Sequence, residues 1–168
     1  MNNKIFRAAF QAAVPVILGY LSIGLVFGLL LTASGYSWLL SLIMSLIIYA
    51  GTAQYMAVDF FLQNTPLWEV ALMTFLLNSR HMFYGISLLD SFARAGAHRP
   101  YLIFSLTDET YALLTSVAPP PGATAKFSFY LAAINHAAWI AGTLLGAVAG
   151  SLIPFDFTGV DFALTALF

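Results

Sequence analysis

Two adjacent carboxylates, Asp108 and Glu109, stand between the apolar runs Leu102-Ile103-Phe104 and Ala112-Leu113-Leu114. An ionised carboxylate at the centre of a membrane helix costs about 2.5 to 3.5 kcal/mol even on a lenient insertion scale, so a pair of them calls for a use. Low dielectric and a neighbouring like charge both favour the protonated carboxyl, and the chemistry these residues suit is carrying a proton. If the segment surfaces at the interface instead, the same acids do no more than meet water or cap a helix. Asn78-Ser79-Arg80-His81 is the second group. A guanidinium cannot shed its charge, so inside a span Arg80 needs a carboxylate, carbonyls or water, and Asp108 or Glu109 is the natural partner. From near the end of a span it could equally snorkel to the interface. His81 is suited either to relaying protons near neutral pH or to a hydrogen-bonded packing role. Asp108, Glu109, Arg80 and His81 are therefore the proton-coupling candidates.

A third group lies in Tyr49-Ala50-Gly51-Thr52-Ala53-Gln54-Tyr55, small and polar residues at the middle of an apolar stretch covering 38–62. The composition predicts a broken or re-entrant helix near 49–55. Backbone groups freed by such a break survive in a membrane only when buried in protein or lining a cavity. A half-helix N-terminus attracts a substrate carboxylate, while freed carbonyls, tyrosine hydroxyls or the two acids can receive an ammonium group. Tyr49, Gly51, Thr52 and Gln54 are substrate-binding candidates on this basis, with Asn78, Tyr111 and Asn135 beside them. Gln54 and Tyr49 serve equally well as interhelical hydrogen-bond glue, and Asn135, His136 and Trp139 as packing residues.

The elements that must hold these groups follow from composition. Of 168 residues, 61% are hydrophobic and only 8% charged, far from a soluble protein. No Asp, Glu, Lys or Arg occurs between Arg7 and Asp59 or between Lys126 and Asp156, and each gap exceeds the roughly 20 residues that cross a hydrocarbon core. The fold class is all-α, a polytopic helical integral membrane protein, read as a single transmembrane domain over 1–168. The spans are 14–33, with Pro15 in its first turn, the broken 38–62, then 67–89, and 127–150. A shorter segment at 101–117, interrupted by Thr107-Asp108-Glu109-Thr110, ends at Pro119-Pro120-Pro121-Gly122. A further apolar segment opens at Asp161. Lys4 and Arg7 favour a cytoplasmic N-terminus, and a re-entrant 38–62 returns Arg94 and Arg99 to the same side. Gly24-x-x-x-Gly28, followed by Gly35 and Trp38, is echoed by Gly142-x-x-x-Gly146, followed by Gly159 and Phe162. Such an echo marks either a weak internal repeat or close helix packing.

The net charge of -1 excludes a nucleic-acid surface, and the lack of Cys excludes disulfides and thiolate metal sites. His-Glu-x-x-His, Gly-x-x-x-x-Gly-Lys and Gly-x-Ser-x-Gly are all missing, which argues against an enzyme and against any metal or cofactor. An intramembrane enzyme built on His81, His136 and the acids has no recognised spacing behind it.

Taken together, Gly19-Tyr20, Tyr49-Ala50-Gly51 with Gln54, Asn78-Ser79-Arg80-His81, Tyr84-Gly85, Leu106-Thr107-Asp108-Glu109-Thr110-Tyr111-Ala112 and Asp161-Phe162-Ala163-Leu164 resemble the AzlC family, the large subunit of bacterial branched-chain amino acid exporters. The resemblance implies a multi-pass secondary transporter of the bacterial inner membrane. It implies export of valine, leucine or isoleucine, and in some members methionine, driven by the proton gradient. The implied partners are a small hydrophobic AzlD-type membrane subunit, membrane lipid, the amino acid itself and, as an open case, a second copy of the chain. Family members usually continue through further helices, so the chain is expected to lack the C-terminal ones. A truncated homologue acting as a non-transporting assembly or scaffold subunit is the alternative.

Overall fold

The computed structural model describes residues 2–152, all of whose regular structure is helical. The segment opening at Asp161, and with it Gly159 and Phe162 of the echo, lies outside them. The described residues fall into two compact units, one of residues 2–19 and 73–138, the other of residues 20–72 and 139–152. Helix α1 (Asn2–Ala33) and helix α9 (Thr124–Leu152) contribute to both, and these two are long and apolar enough to cross a membrane.

Helix α1 starts a dozen residues before the expected 14–33, which moves Pro15 from the first turn to the interior. The cause is a stripe at helical spacing: Ile5, Ala9 and Ala13 are buried, while Lys4 and Arg7 are exposed on other faces. In the first unit that stripe packs with Ala123, just before α9, and with Phe127 and Leu131 of α9.

The stretch 38–62 is broken, as its composition predicts. Helix α2 (Trp38–Ile47) opens on Ser37, whose hydroxyl accepts the Leu39 N–H at 3.2 Å. It ends with the Ile48 and Tyr49 N–H groups both donating to the Met44 carbonyl, at 2.9 and 3.3 Å. Tyr49 has φ 44°, a left-handed conformation uncommon for an aromatic residue, and Ala50 then starts α3 (Gly51–Gln63). Asn64, at φ 51°, ends α3 before Pro66.

Two expected segments are more divided than periodicity suggests. The stretch 67–89 becomes α4 (Leu67–Asn78), α5 (Arg80–Ser87) and the start of α6 (Leu89–Ala93). Around the first interruption Asn78 Nδ2 donates to the Thr74 carbonyl at 3.0 Å and Ser79 Oγ to that of Leu76 at 2.8 Å. Short polar side chains that bond backbone carbonyls compete with helical geometry. After a 3-10 turn (Gly96–His98), the stretch 101–117 becomes α7 (Arg99–Phe104) and α8 (Asp108–Ser116). Thr107 is extended, and its hydroxyl caps α8 by accepting the Thr110 N–H at 3.2 Å. The Thr-Asp-Glu-Thr string thus begins a helix rather than interrupting one.

In the second unit α1 and α9 run in the same direction at backbone contact. Gly24 lies against the backbone around Trp139 and Gly142, and Gly28 against that around Thr143 and Gly146. The echoing glycine pairs therefore face one another, the close-packing geometry of small residues at four-residue spacing. Large apolar side chains such as Leu67 (85% exposed) and Phe83 (72% exposed) form the outer surface, as expected where lipid replaces water.

Candidate functional site

Helix α5 sorts its side chains by face. Arg80, Tyr84 and Ser87 recur at helical spacing on one side, and Met82, Phe83 and Ile86 are exposed on the other. The polar side meets the start of α8 in the first unit. Arg80 Nη1 contacts Asp108 Oδ2 at 2.7 Å, the pairing that charge neutralisation predicts. Tyr84 stacks on Tyr111 with ring centroids 4.3 Å apart and planes 14° apart, and Ser87 Oγ donates to Tyr111 Oη at 3.1 Å. His81 Nδ1 donates to the Asn78 carbonyl at 3.2 Å, and its ring meets Tyr84 edge-on. The Tyr84 hydroxyl also lies close to the Asp108 carboxylate.

Asp108 and Glu109 occupy the first turn of α8, where the positive end of the helix dipole favours carboxylates. They do not share one buried environment: Glu109 is exposed and Asp108 half-buried. The interruption expected at Thr107-Asp108-Glu109-Thr110 falls instead at residues 105–107, which makes both acids helix-opening residues, as in the capping alternative. Behind that turn, Asn135 of α9 is fully buried and donates through Nδ2 to Thr110 Oγ1 at 3.0 Å. Its Oδ1 is buried without a hydrogen bond. Thr107 Oγ1 donates to the same Thr110 hydroxyl at 3.0 Å. Asn78, Arg80, His81, Asp108, Glu109, Tyr111 and Asn135 thus all belong to the first unit. Tyr84, Ser87 and Thr110 were not picked out as site residues, although Tyr84 and Ser87 fall four and seven positions after Arg80.

Tyr49, Gly51, Thr52 and Gln54 belong to the second unit. Gln54 is fully buried and engaged at both ends, accepting from Trp139 Nε1 at 3.0 Å and donating to Ser45 Oγ at 3.3 Å. Tyr55 Oη donates to the Ile23 carbonyl at 2.6 Å. Tyr49 meets Tyr20 edge-on, and a Cβ on Gly51 would stand 3.2 Å from the Trp139 ring. Trp139 also contacts Phe27 and Tyr20, with ring centroids 6.3 and 5.4 Å away. Trp139→Ala is therefore expected to cost about 3 to 5 kcal/mol, and Trp139→Phe, which keeps an aromatic ring but leaves Gln54 Oε1 without its donor, about 1 to 3 kcal/mol. Denaturant unfolding in detergent measures both; a Trp139→Phe protein as stable as wild type would mean that the hydrogen bond contributes nothing.

Helices with a largely apolar exterior, two of them long and apolar enough to cross a membrane, define a helical membrane protein. Residues 15–153 match the family described as AzlC protein, and the chain belongs to the AzlC family. It is 41% identical over 166 residues to a membrane protein of Helicobacter pylori, covering 98% of this chain and 73% of that one. It is 35% identical over 164 residues to the branched-chain amino acid transport protein AzlC of Bacillus subtilis, covering 97% of this chain and 65% of that protein. A membrane protein of Haemophilus influenzae is 34% identical over 164 residues, covering 96% and 67% respectively. No solved structure matches the chain significantly.

Proposed function

We propose that the protein is the large subunit of a secondary transporter that exports valine, leucine or isoleucine, with methionine a further candidate, across the bacterial inner membrane in exchange for protons. It works as a multi-pass protein beside a small hydrophobic AzlD-type subunit and performs no covalent chemistry. Family membership and the name of the Bacillus subtilis relative support the substrate class. The Arg80–Asp108 contact at 2.7 Å carries the coupling assignment. A protonated Asp108 cannot keep that ion pair, so proton uptake and the Arg80 contact exclude one another, and the α5–α8 seam has two states for a gradient to bias. Tyr84 of α5 faces the pair and stacks on Tyr111 of α8; His81 meets the edge of that tyrosine, and Glu109 follows Asp108 in the first turn of α8. With both ends of Gln54 engaged, the α2–α3 break is assigned a holding role in the second unit.

The test is to reconstitute the protein with its partner subunit in liposomes, impose a pH gradient and follow labelled leucine. Gradient-dependent leucine movement that is absent from empty liposomes supports the proposal. No movement, together with no leucine binding by the purified complex, would favour the assembly or scaffold reading.

A further inference from the structure

We propose that the Arg80–Asp108 pair is the receptor for the charged head group of the transported amino acid: the ligand α-carboxylate takes Arg80 from Asp108, and the freed Asp108 takes the α-ammonium. This rests on the transport reading above and names the atoms it uses.

The observations are geometric. The two charges touch at 2.7 Å yet remain reachable, with 44% of the Arg80 side chain and 35% of the Asp108 side chain exposed. Arg80 and Asp108 are each the first residue of a helix, α5 and α8, and the positive end of the α8 dipole favours an anion at Asp108. Today that anion is the Asp108 carboxylate, which stands where a ligand carboxylate would stand. For the ammonium, the same α8 turn is backed by Asn135, fully buried, whose Oδ1 makes no hydrogen bond. A buried amide oxygen calls for a donor, and an ammonium group is donor only. The stacked Tyr84 and Tyr111 rings offer π-faces beside it.

Charge balance then supplies selectivity. A zwitterion replaces one ion pair by two and leaves neither protein charge unpaired. A simple amine would occupy Asp108 and leave Arg80 without its partner, and a simple acid would do the reverse, so each gives up an ion pair that the zwitterion keeps. The seam therefore selects amino acids over amines and acids through the penalty on the wrong ligand as much as the attraction of the right one. A proton competes with the ammonium for the same carboxylate, which makes exchange of one for the other the simplest cycle.

The test is equilibrium binding of labelled leucine, 3-methylbutylamine and 4-methylpentanoate to the full protein with its partner in detergent. The wild-type protein is expected to bind leucine tightest. Arg80→Gln should weaken leucine roughly tenfold or more, the scale of a lost charge-assisted contact, while keeping or improving binding of the amine. Asp108→Asn should weaken leucine similarly while keeping or improving binding of the acid. Leucine binding within twofold of wild type in both variants overturns the inference and leaves the transport proposal standing. Equal loss of all three ligands in folded variants also overturns it, as does a wild-type protein that binds 3-methylbutylamine as well as leucine, a result that needs no variant to fold. A wild-type protein that binds no branched-chain amino acid removes the transport reading, and the head-group assignment with it.

Discussion

Gly146→Ala is expected to destabilise the second unit severely, while Gly19→Ala, on the part of α1 that belongs to the first unit, is expected to stabilise the protein slightly. A Cβ on Gly146 would overlap the Leu25 carbonyl oxygen and stand 2.8 Å from the Leu25 Cα, atoms of the α1 backbone that cannot rotate away. The helices must separate, and in a membrane their association depends on that close approach because lipid tails are as apolar as leucine. Overpacking a well-filled contact costs about 1 to 3 kcal/mol, and a clash with backbone belongs at or above the top of that range. Gly28, whose Cβ would meet the Thr143 carbonyl, should behave in the same way. Gly19 has nothing within 4 Å of a built Cβ, so alanine there brings only its helix propensity, a gain of about 0.8 to 1 kcal/mol. Unfolding of both variants in one detergent gives the comparison, and a Gly146→Ala protein as stable as wild type would sink the backbone-contact account.

The glycine echo shows how far sequence reasoning reaches. Spacing alone marked Gly24, Gly28, Gly142 and Gly146 as either a repeat or a packing face, and only coordinates bring the two pairs together. The break at Tyr49 was legible because small and polar residues at membrane depth have few other uses. The break at residues 105–107 was legible only as an interruption at Thr107-Asp108-Glu109-Thr110: nothing local announces that the helix already ends at Phe104, that Ser105 bonds the Tyr101 carbonyl at 2.7 Å, or that Thr107 caps a new helix. Charge neutralisation narrowed Arg80's partner to Asp108 or Glu109, 28 or 29 positions on, since a fixed cation among apolar residues needs an anion and few were on offer; snorkelling remained open beside it, and the coordinates choose Asp108. Gln54 and Trp139, 85 residues apart, carry no such demand. Each has many acceptable partners, so pattern alone could not join them. The early start of α1 was hidden for the opposite reason: Lys4 and Arg7 looked like a boundary, although the Ile5, Ala9 and Ala13 stripe continues beneath them.

Asp108→Asn should separate folding from transport, leaving the protein folded and its proton-driven leucine export at background. The folding cost is small on two counts. An ion pair with exposed side chains is worth about 1 kcal/mol or less, and the carboxylate's favourable place in the first turn of α8 adds about 0.3 to 1 kcal/mol. Thr107 still caps the helix, and the Tyr84–Tyr111 stack and the Asn135–Thr110 bond do not involve the changed atom. The functional cost has no such cushion. Asparagine is close to isosteric but neither takes up a proton nor balances Arg80, so the seam loses the two charge states between which a gradient could drive it. Glu109, the next carboxylate along, is the nearest substitute proton carrier, and the Asp108→Asn, Glu109→Gln double variant removes it as well. Thermal unfolding and gradient-driven leucine movement in liposomes, measured on the same preparations, read the two effects apart. A double variant that still exports leucine at the wild-type rate would take proton coupling away from this seam. One that fails to fold would instead make the pair a structural tie, contrary to its exposure.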